Sequence, residues 1–231
     1  MKDLLDEQKR YYAARAPEYD DWWYRRGRYE LEPDALARWW EDVAEADAAL
    51  EEFALKLEAS SAKPPTPGKK AMGGSVLELA AGTGIWTRKL VQLADRVVAV
   101  DANRETLALN TDEAEHVVAD LFEWRPEAET FDVVFFSFWL SHVPEERLDD
   151  FWTLVRSALK PGGRVFLVDN NVQGDPTHRG RARVDDGVER RQLSDGRKFD
   201  IVKHYRTPGD FPHLDLRVTT NGHFIYGGGT V

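Results

Sequence analysis

The chain contains no cysteine. That excludes disulfides, thiolate metal sites and a cysteine nucleophile, and it fits a reducing, cytoplasmic setting. Nor is there an excess of positive charge: 31 Lys and Arg against 41 Asp and Glu leave a formal net charge of -10. Such a body repels phosphate backbones, so no nucleic-acid partner is expected. The basic stretch 179–183 runs at once into Asp185 and Asp186 and reads as a solvated loop. Long apolar runs are missing too. The longest, 131–140, is interrupted by Asp132 and Ser137 and falls far short of the roughly 20 residues a membrane helix needs. The first ten residues are charged and lack the apolar segment of a signal peptide. Among the histidines, His116, His178, His204, His213 and His223 show no metal-ligand spacing, so no metal site is expected.

What is present suits one decorated globular domain. The 231 residues are 42% hydrophobic and include eight Trp, several of them near the N-terminus. Residues 11–24 mix aromatics with charges and predict two short helices broken at Pro17. From 33 to 59, apolar residues at Leu36, Trp39, Trp40, Val43, Leu50, Phe53 and Leu57 predict a long helix, with Pro33 in its first turn. Its surface is a candidate homodimer interface, so monomer and homodimer both stay open. Residues 60–70, rich in Pro, Ser and Lys, read as an exposed linker.

Beyond residue 70 the pattern alternates. Strands are expected at 75–80, 96–100, 116–120, 132–136 and 164–169. Helices are expected at 84–94, at 103–109 with Asn103 as N-cap, and at 145–159. Continuous apolar strands alternating with helices indicate an α/β fold, a parallel sheet covered on both faces. The last third changes character. Two hairpins are expected, one over 190–205 turning at Asp195-Gly196, the other over 215–226 turning at Asn221-Gly222. Residues 1–70 are thus a helical lid and linker, and 71–231 a core with a hairpin insertion near 189–205.

The chemistry centres on the turn Glu78-Leu-Ala-Ala-Gly-Thr-Gly84. A turn leaving the carboxyl end of a first parallel strand lies where open α/β sheets bind ligands. Gly82 and Gly84 let the backbone bend sharply and approach a ligand. A dinucleotide fingerprint asks for a third glycine three positions after Gly84, yet Trp86 and Thr87 stand there. A ligand without a pyrophosphate is favoured over the dinucleotide of an oxidoreductase. Asp101, at the tip of the second strand, offers a carboxylate to both hydroxyls of a ribose.

These residues resemble the class I S-adenosylmethionine-dependent methyltransferases. That family's acid-x-Gly-x-Gly-x-Gly motif reads here Glu78-x-Ala80-x-Gly82-x-Gly84, with Ala80 at the first glycine. Its second motif matches Val97-Val-Ala-Val-Asp101, its third Val117-Val-Ala-Asp120-Leu121, and its fourth Phe131-Asp-Val-Val-Phe-Phe-Ser137. Leu159-Lys-Pro-Gly-Gly-Arg-Val-Phe-Leu167 matches the usual entry to strand five. The resemblance implies a Rossmann-like, seven-stranded, mostly parallel sheet with an antiparallel last strand, and S-adenosyl-L-methionine as cofactor. It implies donor contacts from Glu78, Ala80, Gly82, Thr83, Gly84 and Trp86, from Asp101 and Ala102, from Asp120 and Leu121, and from Ser137. A helix normally sits between strands five and six. Here only 176–188 could supply it, or the helix is absent.

The N-terminal aromatics resemble the lid of small-molecule methyltransferases, so Tyr12 and Tyr19 are expected over the methionine end of the donor and Trp23 on the substrate side. Simple docking of the helix is the competing explanation. Phe138, Trp139, His142 and Asn170 are expected near a small-molecule acceptor. The segment after strand four lacks the Asp/Asn-Pro-Pro-Tyr of amine-directed relatives, which argues against adenine or glutamine nitrogens; oxygen, a carboxylate or a hydroxyl, is expected, with carbon or nitrogen of a small metabolite as the alternative. His142 is the candidate general base, because an unperturbed imidazole titrates near neutrality. A carboxylate would need no base and would leave His142 to orient it. A donor-binding protein without turnover is the remaining alternative.

Overall fold

The computed structural model describes residues 2–60, 70–171, 181–185, 187–211 and 215–231. The chain opens with α1 (Lys2–Arg15), a 3-10 turn at Ala16–Glu18 where Pro17 removes a backbone donor, and α2 (Tyr19–Trp23). The long α3 (Pro33–Ser60) follows. Trp39, Val43, Ala46, Leu50 and Phe53 recur along it at steps of four and three, so they form one stripe, and all are buried. The linker expected from residue 60 falls, over 61–69, outside the described residues.

The alternating region builds β1 (Ser75–Leu79), α4 (Thr87–Leu93), β2 (Arg96–Asp101), α5 (Arg104–Leu107), β3 (Glu115–Val118), β4 (Phe131–Ser137), α6 (Leu148–Ala158) and β5 (Leu159–Asn170). Then come β6 (Arg181–Asp185), β7 (Val188–Gln192), β8 (Lys198–Val202), β9 (Asp215–Thr220) and β10 (Phe224–Thr230). Seven strands form one sheet in the order β3-β2-β1-β4-β5-β10-β9. β10 runs antiparallel to both neighbours, and the pairs among β1 to β5 are parallel. This is the mostly parallel sheet with an antiparallel final strand that the motifs implied.

Strand alternation sorts the core into two layers. On β4, Val133 and Phe135 pack with Trp39, Leu50 and Phe53 of α3 and Leu90 of α4. Val134 and Phe136 face the other way, onto Phe151, Leu154 and Val155 of α6. The stripe of α3 is therefore spent on the sheet, each fully buried aromatic contributing roughly 2–3 kcal/mol. α3 covers β5 and β10, and only scattered side chains such as Trp40 and Leu55 are left at its surface.

Of the two alternatives for the stretch after β5, the described part of 176–188 follows the second and holds no helix: Arg181–Asp185 is a strand, and β6, β7 and β8 form a separate antiparallel sheet. The hairpin at Asp195-Gly196 is real, but β6 extends it. Asn103 stands at the N-cap of α5 without capping it through its side chain; Asp101 Oδ1 instead accepts the Asn103 N–H at 2.8 Å. Ala80 adopts φ 56°, a left-handed conformation that costs a residue with Cβ about 1–2 kcal/mol. Ala80→Gly is expected to raise unfolding free energy by about 1 kcal/mol. Urea unfolding checks this, and an unchanged or lower midpoint would count against it.

Candidate functional site

The strand order reverses between β1 and β4, and the cleft lies outside their carboxyl ends, where such sheets place ligands. A cavity opens there, lined by residues from several turns and from the N-terminal helices. Its floor is built by turns. Ala80 and Gly82 arrive from β1, Asp101 and Ala102 from β2, Asp120 and Leu121 from the turn after β3. Ser137, Phe138, Trp139 and His142 follow β4, and Tyr12 and Tyr19 close the opposite side from the N-terminal helices.

The geometry of the first turn explains its glycines. Gly82 has φ 56°, and a Cβ built on it would meet nothing within 4 Å. The open space is the cleft itself, so the turn leaves a backbone cradle that a side chain would fill. At Gly84, φ 87°, a Cβ would run into the Asn110 side chain. Asp101 is buried, and its Oδ2 accepts the Gly82 N–H at 2.9 Å. Burial raises its pKa while the Asn103 and Gly82 amides oppose the rise. Each carboxylate oxygen has lone pairs to spare for further donors. Asp120 Oδ1 accepts the Phe122 N–H at 2.9 Å, and its Oδ2 meets Lys9 Nζ of α1 at 3.0 Å. α1 is thereby tied to the far end of the cleft.

Not every expected residue reaches the cavity wall. Glu78 lies behind the turn, 1% exposed, with Thr87 Oγ1 donating to Oε2 at 2.5 Å. Burial pushes its pKa up to about 8, with Asp112 and Asp101 adding to the rise. Thr83 Oγ1 donates to Asp20 Oδ1 and so holds α2 onto the turn. Trp86 packs against Trp23 and Phe135 inside the core. Trp23, expected on the substrate side, is buried among Trp39, Trp86 and Phe138. A large indole fills core and pocket equally well, and here the α3 stripe claimed it.

His142 is buried, and both ring nitrogens are committed. Nδ1 lies 2.7 Å from the Val202 carbonyl, which can only accept, so that nitrogen carries the proton. Nε2, 2.7 Å from the Tyr12 hydroxyl, therefore accepts. Burial, with Lys203 and Arg191 nearby, holds its pKa well below the ordinary imidazole value. Gln8 of α1 locks the arrangement: its Nε2 donates to the His142 carbonyl and its Oε1 accepts the Val202 N–H.

A second, smaller cavity adjoins the first and shares Tyr12, Tyr19, Phe138 and His142 with it. Asn170, expected near the acceptor, lines this one, as do Arg15, Arg191 and Lys203. None of those three cations belongs to a motif. The one local signal was Arg15, three and four residues after Tyr12 and Tyr11 and so on their helix face.

Sheet order and cleft thus define a Rossmann-like α/β protein with a ligand cleft at the switch point of its sheet. The methyltransferase domain family matches residues 76–163. The solved structure of DhpI in complex with SAH is 35% identical, over 99% of this chain and 97% of that one, with a TM-score of 0.70. For the DhpI–SAM–HEP complex the values are 35%, 97%, 96% and 0.71. Cypemycin N-terminal methyltransferase from Streptomyces sp is 37% identical over 102 residues. That match spans 41% of this chain and 41% of that relative. The chain belongs to the S-adenosylmethionine-dependent methyltransferase family. Its cofactor is S-adenosylmethionine, and both the dinucleotide oxidoreductase and the donor-binding protein without turnover are set aside. Among the described residues, no helix is long and apolar enough to cross a membrane.

Proposed function

We propose that the chain methylates an oxygen of a small molecule, and that this oxygen arrives already ionised, as in a carboxylate. The observation that carries the reading is the state of His142. A general base needs a free lone pair and a pKa near the working pH. His142 offers its lone pair to Tyr12 and resists protonation. An acceptor that must lose a proton finds no base there, whereas an oxyanion needs none. Bound S-adenosylmethionine would supply a methyl group on a sulfonium for transfer to the acceptor oxygen, with the C–S electron pair going to sulfur.

The protein's part is to bind, orient and exclude water. Asp101 would receive the ribose hydroxyls, and the Gly82 cradle would admit the donor. Asp120 and Leu121 would flank the adenine, with Ser137 and Ala102 completing the wall. Tyr12 and Tyr19 would stand near the sulfonium, where aromatic faces favour a cation. Holding two reactants in line accounts for a large share of such a rate. The lid is supplied by α1 and α2, whose Leu5, Gln8, Lys9, Tyr12 and Tyr19 line the cleft.

The test is turnover with S-adenosylmethionine on a panel of carboxylates, phenols and amines, read by mass. Base-labile methyl esters are expected, and methylated amines alone would reject the reading. With a carboxylate acceptor, kcat is expected to stay flat through pH 6–8. His142→Asn is expected to retain activity within about tenfold, against the 100- to 10,000-fold loss a general base would show.

A further inference from the structure

The second cavity carries a charge imbalance. Arg15, Arg191 and Lys203 line it and are only 6%, 7% and 4% exposed. Burying a cation is costly unless a counter-charge accompanies it. Lys203 has one: Nζ is 3.7 Å from Asp169 Oδ1 and donates to Ser141 Oγ at 2.6 Å and Asn170 Oδ1 at 2.9 Å. Arg191 Nη2 meets Glu189 Oε2 at 2.7 Å. Arg15 has no carboxylate within ion-pair distance among the described residues. Its guanidinium is surrounded by the rings of Tyr11, Tyr19 and Tyr29, at 5.7, 4.8 and 6.0 Å from their centroids. Its Nε is buried without a hydrogen-bond partner, and so are Nε of Arg191 and Nε1 of Trp22, which line the same cavity. All three orphaned groups are donors, so what would satisfy them is an acceptor bearing negative charge.

We propose that this cavity is the acceptor subsite and that Arg15 anchors an oxyanion of the acceptor there, a planar carboxylate or a tetrahedral oxyanion. The proposal rests on the donor occupying the larger cavity. The four residues common to both cavities then mark the junction across which the methyl passes. Two carboxylates face three cations, so one positive charge is left for one negative charge of the ligand. The rest of the wall combines the rings of Trp22, Tyr12, Tyr19 and Phe138 with the polar His142 and Asn170. Because Arg15 ends α1, an anion held by it also fastens the lid. Methylation of a carboxylate leaves a neutral ester that no longer satisfies that charge, so such a product leaves more readily than its acceptor; a tetrahedral dianion keeps one negative charge after methylation and loses less.

Calorimetry on the full chain saturated with SAH tests this, with benzoate, phenylphosphonate, methyl benzoate and benzamide as probes. At least one anion is expected to bind at least tenfold more tightly than both neutral probes. Benzoate over phenylphosphonate would identify the planar source, the reverse order the tetrahedral one. Arg15→Gln is expected to weaken the anion at least 30-fold while SAH affinity stays within threefold, and Arg15→Lys to recover part of the loss. Since Arg15→Gln removes an uncompensated buried charge, its melting temperature is not expected to fall. Should that variant not fold, Arg15→Lys against the wild type reads the same dependence on the guanidinium. Equal binding of neutral and anionic probes, no binding of either anion, or anion affinity unchanged in the Arg15 variants would overturn the anchor. Failure of SAH itself to bind would instead remove the donor-site reading. An anion bound through Arg15 with only nitrogen or carbon methylation in turnover would remove the oxygen assignment alone.

Discussion

Asp101→Asn is expected to weaken SAH binding by about 100- to 1,000-fold, equivalent to one or two hydrogen bonds to a charged group. The carboxylate does two jobs at once. Its oxygens accept the Gly82 and Asn103 amides, at 2.9 and 2.8 Å, which fixes the turn at the end of β1 against the start of α5. Their remaining lone pairs are what ribose hydroxyls would use. An amide keeps the volume but turns one acceptor into a donor, set against a backbone N–H that also donates. The substitution therefore disturbs the cradle and removes an acceptor for a ribose hydroxyl in one step. Titration calorimetry reads the affinity, and a near-normal melting temperature without ligand separates impaired binding from impaired folding. An SAH dissociation constant within threefold of wild type would reject the ribose role of Asp101.

The parts of the molecule legible in the sequence are those whose determinants lie close together along the chain. Each strand-turn-helix unit from β1 to β5 carries its own alternation and its own turn residues, so the parallel order and the positions of Gly82, Asp101 and Asp120 followed from short windows. Arg15, Arg191 and Lys203 converge from the first helix and from two places near residue 200, and no local window contains that meeting. His142 was found as a residue type, but its state depends on Val202 and Tyr12, 60 and 130 positions away. The lid and the β6–β8 sheet, expected as separate decorations, pack on each other through Tyr11, Leu193 and Ile201. The helix expected after β5 has a substitute from the N-terminus, since α3 covers β5 and β10. Hydrophobic periodicity reports which face of an element is buried, not what buries it.

Glu78→Gln is expected to remove much of the fall in stability that the wild type shows between about pH 5 and 9. The carboxyl is buried with a pKa of about 8, against an ordinary value of 4.5. Between those values the folded chain holds the proton and the unfolded chain has released it. The contribution is therefore complete below about pH 4.5 and is lost as pH rises through about 8. By linkage the loss amounts to roughly 2–5 kcal/mol. The local bonding accounts for the preference: Asn110 Nδ2 donates to Thr87 Oγ1, and Thr87 donates to Oε2, while Oε1 is buried without a partner. An ionised carboxylate would leave one oxygen uncompensated, with Asp101 and Asp112 adding repulsion. His142 works in the opposite sense, since its lowered pKa adds stability as pH rises through the ordinary imidazole range. The difference between wild type and Glu78→Gln cancels that term, because both proteins keep His142. Urea unfolding from pH 5 to 9 should show the two curves converging at the acid end and separating at the alkaline end, with the variant the more stable. Parallel curves would mean that Glu78 is ionised in the folded protein and that the turn at the end of β1 carries a buried negative charge at neutral pH.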